Sequence, residues 1–315
     1  MFLFEIEVVD MKLQSSIVQA VASIDLAVTD ITESRRFFKE IWRLDVVDEK
    51  QGRVYFRASG PQYYVLSLRQ AEKAGIVRVI LDARNHASVD IAYKKAVAGG
   101  YTVDGKPRAL TTPGGGYGFG VVDPEGRNYC LVHDMKRHEE HGPVHDHPTK
   151  ITHINLNSVD NDASFRFTSA VFDFKLSDQT RIFRFLSCNS DHHSLGLAFS
   201  DNTCLNHIAF EVPDMESVML GIGRMRDNGY PIEWGPGRHG AGNNVFAYFC
   251  GPDDLPIEYT AEVLQVDDSY QIRKPHEWGF PPGRVDQWGV SPGPSERVKR
   301  AQSSLHFMQG GHQLD

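Results

Sequence analysis

The sequence predicts an α+β fold built by duplication, and three observations carry that prediction. First, the two halves of the 315-residue chain repeat each other. Residues 22–48 lie over 152–178, 76–101 over 205–230 and 118–132 over 247–261, at offsets of 130, 129 and, from Pro124 to Pro252, 128. Collinear matches at a nearly constant offset mark an internal repeat. Second, the side-chain period switches within each half. ITHINLN (151–157) and NHIAFEV (206–212) alternate as half-buried strands do, whereas Asp30 to Trp42 and Asp160 to Phe172 carry helical spacing behind an aspartate start signal. Third, turns such as PGGGYG (113–118) and DPEG (123–126) separate short strands.

Taken in order, each half opens on a strand, passes through a helix and continues in short strands. It then repeats that plan with a second helix, at about 86–98 and 214–227, which ends at glycines suited to a C-cap. A length of 315 residues fits about two domains. The sequence divides into an N-terminal domain (1–136), a linker (137–148), a C-terminal domain (149–265) and a tail (266–315). The segment HDMKRHEEHGPVHDHP (133–148) holds five of the fourteen histidines. Its charge and its Gly142, Pro143 and Pro148 read as a solvated linker, while the histidine density leaves a metal role open. The tail loses periodicity. Trp278 and Trp288 predict that it packs against the C-terminal domain, and residues beyond about 302 are expected to fray.

Composition excludes several classes. Acids outnumber bases 41 to 33, and a net charge of −8 disfavours a phosphate backbone or an anionic membrane surface. No uncharged apolar run reaches the roughly 18 residues of a membrane helix. MFLFEIEVVD carries acids where an export signal needs bases, and Met11 is a second candidate start. Cys130, Cys188, Cys204 and Cys250 form no CxxC pair, as expected of reduced thiols in a cytoplasmic protein.

The repeat supplies its own control, because scaffold residues recur in both copies and a site need not. His153, His207 and Glu258 stand on three C-terminal strands where the N-terminal copy has Ser23, Arg78 and Cys130. Strand alternation sets His153 with Asn155 and Asn157, opposite Ile154 and Leu156; it sets His207 opposite Ile208 and Glu258 opposite Ile257. All three can therefore point to one side of a curved sheet whose other side packs on helices. Two neutral imidazoles and a carboxylate on one face of an ion form the facial triad suited to non-haem Fe(II).

At these residues the chain resembles the type I extradiol ring-cleavage dioxygenases of the vicinal oxygen chelate superfamily, over about residues 18–265. The resemblance implies two domains, each a pair of βαβββ modules closed into a curved-sheet funnel, with metal in the C-terminal funnel only. It places the His, His and Glu ligands on His153, His207 and Glu258. The family signature corresponds to His239, Tyr248, Pro252 and Glu258, with departures at Ala247, Gly251 and Asp254 that touch turn geometry. It also implies an acid–base histidine within CNSDHHSLGLAF (188–199), assigned to His193 rather than His192. His239 and Tyr248 are implied as hydrogen-bonding groups, and Asn155, Phe185, Phe199, Asn243, Phe246 and His192 as pocket residues. The implied cofactor is Fe(II), with Mn(II) able to fill the same ligands. The implied partners are a catechol-type substrate and O2, with a homo-oligomeric state. The rivals are a 4-hydroxyphenylpyruvate dioxygenase, which is longer with a distinctive C-terminal helix, a four-ligand glyoxalase or epimerase, and a metal-free binding protein of bleomycin-resistance type.

Overall fold

The computed structural model describes residues 16–139 and 142–314. The reading of the first ten residues, the Met11 start and His141 of the linker lie outside them. In the N-terminal half, β1 (Val18–Val28) leads into α1 (Ile31–Arg36), which continues through a wider turn at Phe37–Ile41. There follow β2 (Asp45–Lys50), β3 (Arg53–Arg57) and β4 (Leu66–Gln70). The plan recurs in β5 (Gly75–Ala83), α2 (His86–Ala98), β6 (Arg108–Ala109), β7 (Tyr117–Val122) and β8 (Asn128–His133). The C-terminal half repeats it with β9 (Lys150–Ser158), α3 (Asn161–Phe172), β10 (Lys175–Gln179), β11 (Phe183–Ser187) and β12 (Leu195–Phe199). It closes with β13 (Leu205–Glu211), α4 (Met215–Asp227), β14 (Trp234–Arg238), β15 (Val245–Cys250) and β16 (Pro256–Ala261), and α5 (Glu296–Ala301) lies in the tail.

Local chemistry explains the helix boundaries. The side chains of Asp30, Asn85, Asp160 and Asp214 each accept hydrogen bonds from backbone N–H groups of the first turn, which would otherwise lack partners. Past the ends of α2 and α4, Gly100 and Gly229 take φ of 74° and 84°, a region costly for side-chain-bearing residues.

The sheet order is β2-β3-β4-β1-β5-β8-β7-β6 in one half and β10-β11-β12-β9-β13-β16-β15-β14 in the other. Each is two four-stranded modules joined through antiparallel β1–β5 or β9–β13. One face of each sheet is apolar: Ile154, Leu156, Ile208, Phe210, Ile257 and Tyr259 are buried in a core cluster that runs on into the N-terminal half. Trp42 seals the seam, its indole stacked on Tyr259 at 3.7 Å and 6°. Among the described residues no helix is long and apolar enough to cross a membrane.

Residues beyond 302 pair with both halves. Leu205 N–H donates to the Leu305 carbonyl, Met308 N–H donates to Ile76, and Phe307 bridges Ile76 in parallel. The chain then crosses to the N-terminal sheet, where Arg78 donates to the Gln313 carbonyl at 3.0 Å and Arg108 to that of Leu314 at 2.7 Å. Leu314 packs with Ala22, Tyr64, Ile80 and Cys130. The buried Arg78, the half-buried Arg108 and an apolar niche hold the segment, features that no local sequence period reveals.

Candidate metal centre

Strand register assembles the site. Ala209 on β13 pairs with His153 on β9 and with Glu258 on β16, so all three share a face, and His207 two residues away shares it too. Tyr248 on β15 pairs with Glu258 and joins them. The His153 Nε2, His207 Nε2 and Glu258 Oε2 atoms form a triangle with sides of 3.3, 3.1 and 3.4 Å. Cis ligands about 2.1 Å from one ion stand ~3.0 Å apart in an octahedron and ~3.4 Å in a tetrahedron, so the triangle fits a single cation. It is the one His/Cys/Asp/Glu cluster of this kind among the described residues.

The donor chemistry fits as well. Burial alone would raise the Glu258 carboxyl, but the adjoining His153 and His207 rings hold it far below the usual carboxylate range. Burial lowers His207 below the ordinary imidazole value despite the opposing carboxylate. An anion and a neutral imidazole thus meet in a dry site. The Asn206 side-chain oxygen lies 2.7 Å from His207 Nδ1 and accepts its N–H, which leaves the Nε2 lone pair turned to the triangle. Glu258 Oε1 accepts from Asn244 Nδ2 at 3.3 Å, whereas Oε2 receives no hydrogen bond from any described residue outside the triangle. An orphaned carboxylate oxygen between two imidazole nitrogens, with the His207 lone pair beside it, is what a cation would satisfy.

Further polar groups ring the open side. The His193 ring centroid lies 4.1 Å from that of His153, and burial together with the neighbouring imidazoles keeps His193 well below its ordinary pKa. His239 is stacked on Phe246 at 3.9 Å, with Nε2 3.1 Å from the Tyr248 hydroxyl. Burial, opposed by Glu258 and aided by His207 and His153, lowers His239 to about 4. Burial and then the Glu258 charge raise Tyr248 well above 10, so it keeps its proton.

These groups line a cavity of about 610 Å³. Its walls include Asn155, Phe185 and Phe199 from the sequence-based set, together with Phe183, Trp234, Trp278 and Phe280. Three expected pocket residues do not line it. Phe246 is fully buried beneath His239, because it faces the Trp234 indole at 4.5 Å. Asn243 turns with φ 51° and gives its carbonyl to Arg238, while its side-chain oxygen accepts from Gln287. His192 lies behind His193, its Nε2 2.8 Å from Asp178. The sequence reading missed Asn206, Asn244, Asp178 and Trp234. Adjacency to His207 marks Asn206, but the others reach the site only through strand register or the tail.

The profile of the Glyoxalase/Bleomycin resistance protein/Dioxygenase superfamily matches residues 150–259, the segment that carries all three triangle residues. Metapyrocatechase 2 of Cupriavidus necator is 31% identical over 119 residues, covering 37% of this chain and 37% of that protein, so the match spans well under half of that relative. The manganese-dependent 2,3-dihydroxybiphenyl 1,2-dioxygenase of Geobacillus genomosp. 3 is 23% identical over 288 residues, covering 77% of this chain and 90% of that protein. The Mn(II)-bound glyoxalase from Novosphingobium aromaticivorans superposes with a TM-score of 0.86 at 32% identity, covering 94% of this chain and 97% of that one. With near-complete coverage at that identity, and with the duplicated sheets and His-His-Glu face described above, the chain belongs to the glyoxalase/bleomycin resistance protein/dioxygenase superfamily and has the vicinal oxygen chelate fold.

Proposed function

We propose that the chain is an extradiol dioxygenase that inserts both atoms of O2 into a catechol-type ring beside its hydroxyls. One observation carries this reading: the two imidazole nitrogens and the carboxylate oxygen converge to 3.1–3.4 Å on one side of a point whose other side opens into the cavity. His153, His207 and Glu258 would hold the ion, which we assign as Fe(II) on the ligand set, with Mn(II) supported by the two manganese relatives. When bound, a divalent ion would acidify a catechol hydroxyl and bring diol and O2 together.

The remaining steps belong to the protein's own side chains. His193, neutral and lining the cavity, would take the second hydroxyl proton and return it to product. Tyr248 keeps its proton and offers an O–H donor beside His207, its oxygen 3.4 Å from His207 Nε2. His239 adds a second polar group on the same wall. Phe183, Phe185, Phe199, Trp278 and Phe280 exclude water and leave room for far more than a single ring, so the favoured substrate is a catechol with a bulky apolar substituent.

Oxygen uptake by anaerobically purified, Fe(II)- or Mn(II)-loaded protein tests this with a panel of diols. The expected result is one O2 consumed per diol and a yellow ring-opened product. kcat/KM for 2,3-dihydroxybiphenyl should exceed that for catechol by about tenfold or more, as burial of a phenyl group implies. Absence of uptake with every diol would contradict the assignment. It would favour a glyoxalase-type reaction, which consumes no O2 and is the second reading supported by the 32%-identical glyoxalase.

A further inference from the structure

Behind His193 lies a polar chain that leads away from the triangle. His193 Nδ1 is 3.1 Å from His192 Nδ1, and His192 Nε2 is 2.8 Å from Asp178 Oδ2. Asp178 is fully buried, yet it is well supplied with donors: the Tyr270 hydroxyl at 2.7 Å and the Arg273 backbone N–H at 2.6 Å, both from the tail. The Arg273 guanidinium stands 3.8 Å from the same carboxylate and lies over the Trp278 ring at 3.6 Å. Trp278 in turn lines the cavity.

Hydrogen-bond bookkeeping along this chain assigns each proton once His192 is taken as the neutral ring. A carboxylate only accepts, so His192 Nε2 carries a proton and donates it to Asp178. In the neutral ring the Nδ1 of His192 is then an acceptor. The Nδ1–Nδ1 contact therefore requires the proton to sit on His193 Nδ1. That leaves His193 Nε2 as the unprotonated nitrogen, the state a base needs.

We propose that Asp178 and His192 are positioning residues that fix His193 as its Nδ1–H tautomer, with Tyr270 and Arg273 of the tail holding the Asp178 carboxylate in place. The inference rests on the reading of His193 as proton acceptor. It extends the site past the sheet and gives the tail a part in the chemistry beyond covering the cavity.

Long-range ¹⁵N–¹H correlation of ¹⁵N-histidine in the full chain, metal-free and Zn(II)-loaded, reads the tautomer directly. The expected wild-type pattern is His193 protonated on Nδ1. Asp178→Asn frees the amide to offer an N–H to His192 Nε2. It should move His193 toward the Nε2–H form and lower kcat about tenfold or more, with KM within about twofold and metal content unchanged. Should Asp178→Asn fail to fold, His192 variants carry the test. His192→Asn keeps an acceptor opposite His193 Nδ1 and should retain the tautomer and most of kcat, whereas His192→Leu should lose both. A wild-type His193 protonated on Nε2 would overturn the proposal. So would a tautomer and kcat left unchanged by both Asp178→Asn and His192→Leu. Loss of O2 uptake in the wild type would instead reject the dioxygenase reading, because the tautomer is measured without turnover.

Discussion

At the scale of single residues, the site is a contrast between two copies of one strand pattern. Where the C-terminal half has His153, His207 and Glu258, the N-terminal half has Ser23, Arg78 and Cys130, with Arg78 paired to Asp25 at 3.1 Å. A fixed guanidinium stands where the other copy gathers ligand atoms, and among the described residues only the C-terminal half brings such a donor set together. Glu258→Ala should therefore abolish metal binding, whereas His193→Ala should keep the metal and lower kcat about 100-fold or more, the usual share of a positioned acid–base group. Elemental analysis of both variants beside oxygen uptake checks the pair, and a His193→Ala protein with wild-type turnover would remove that residue from the chemistry. The triad residues were legible because strand alternation places each on a face without knowledge of its neighbours. Asp178 and Asn244 were not legible. Asp178 meets His192 only through its place on β10, paired with Phe185 of β11, and Asn244 reaches Glu258 and Thr260 only across the β15–β16 register.

At the scale of elements, β13 organises the site because it lies between β9 and β16 and sets both in register at Ala209. Close packing along β12 supports that arrangement. A Cβ on Gly196 would stand 2.1 Å from Asn155 Oδ1, and Asn155 Nδ2 lies 3.1 Å from His207 Nε2. Gly196→Ala must push Asn155 against the triangle, so metal affinity should fall about tenfold or more while the far-ultraviolet circular dichroism stays unchanged. Titration of the metal-free variant with Mn(II) measures this. Helices and strands of both halves were readable because caps, glycine ends and periodicity are local. The tail was readable only as far as its tryptophans, since its partners Ile76, Arg78 and Asp178 lie more than 90 residues away.

At the scale of the whole molecule, the halves share one core. Trp42 is fully buried, stacks on Tyr259 and meets Phe210 and Phe249 edge-on. Trp42→Ala should cost about 3–5 kcal/mol, as truncations of large buried aromatics do, and denaturant unfolding reads it. A polar seam supports the apolar one. Glu125 of the N-terminal half accepts the Val159 and Asp160 N–H groups ahead of α3, both at 2.7 Å, and pairs with Arg127 at 2.8 Å. Burial would raise the Glu125 carboxyl, but Arg127 and the Asp160, Ser158 and Ser164 donors outweigh it and lower it. A carboxyl lowered on folding stabilises the native state above its unfolded pKa of about 4.3 and loses that contribution as pH falls through the lower folded value. The melting temperature of the wild type should therefore drop more steeply below about pH 4 than that of Glu125→Gln. Equal slopes would show that the seam does not depend on this charge.

The central claim is that His153, His207 and Glu258 share one divalent ion with positions left open to the cavity. Anomalous diffraction from crystals of the Fe(II)- or Mn(II)-loaded chain tests it most directly. The expected result is one full-occupancy peak per chain, bonded to His153 Nε2, His207 Nε2 and a Glu258 oxygen and to no other protein atom. A peak held by a different residue set, or by a fourth protein ligand on the cavity side, would contradict it.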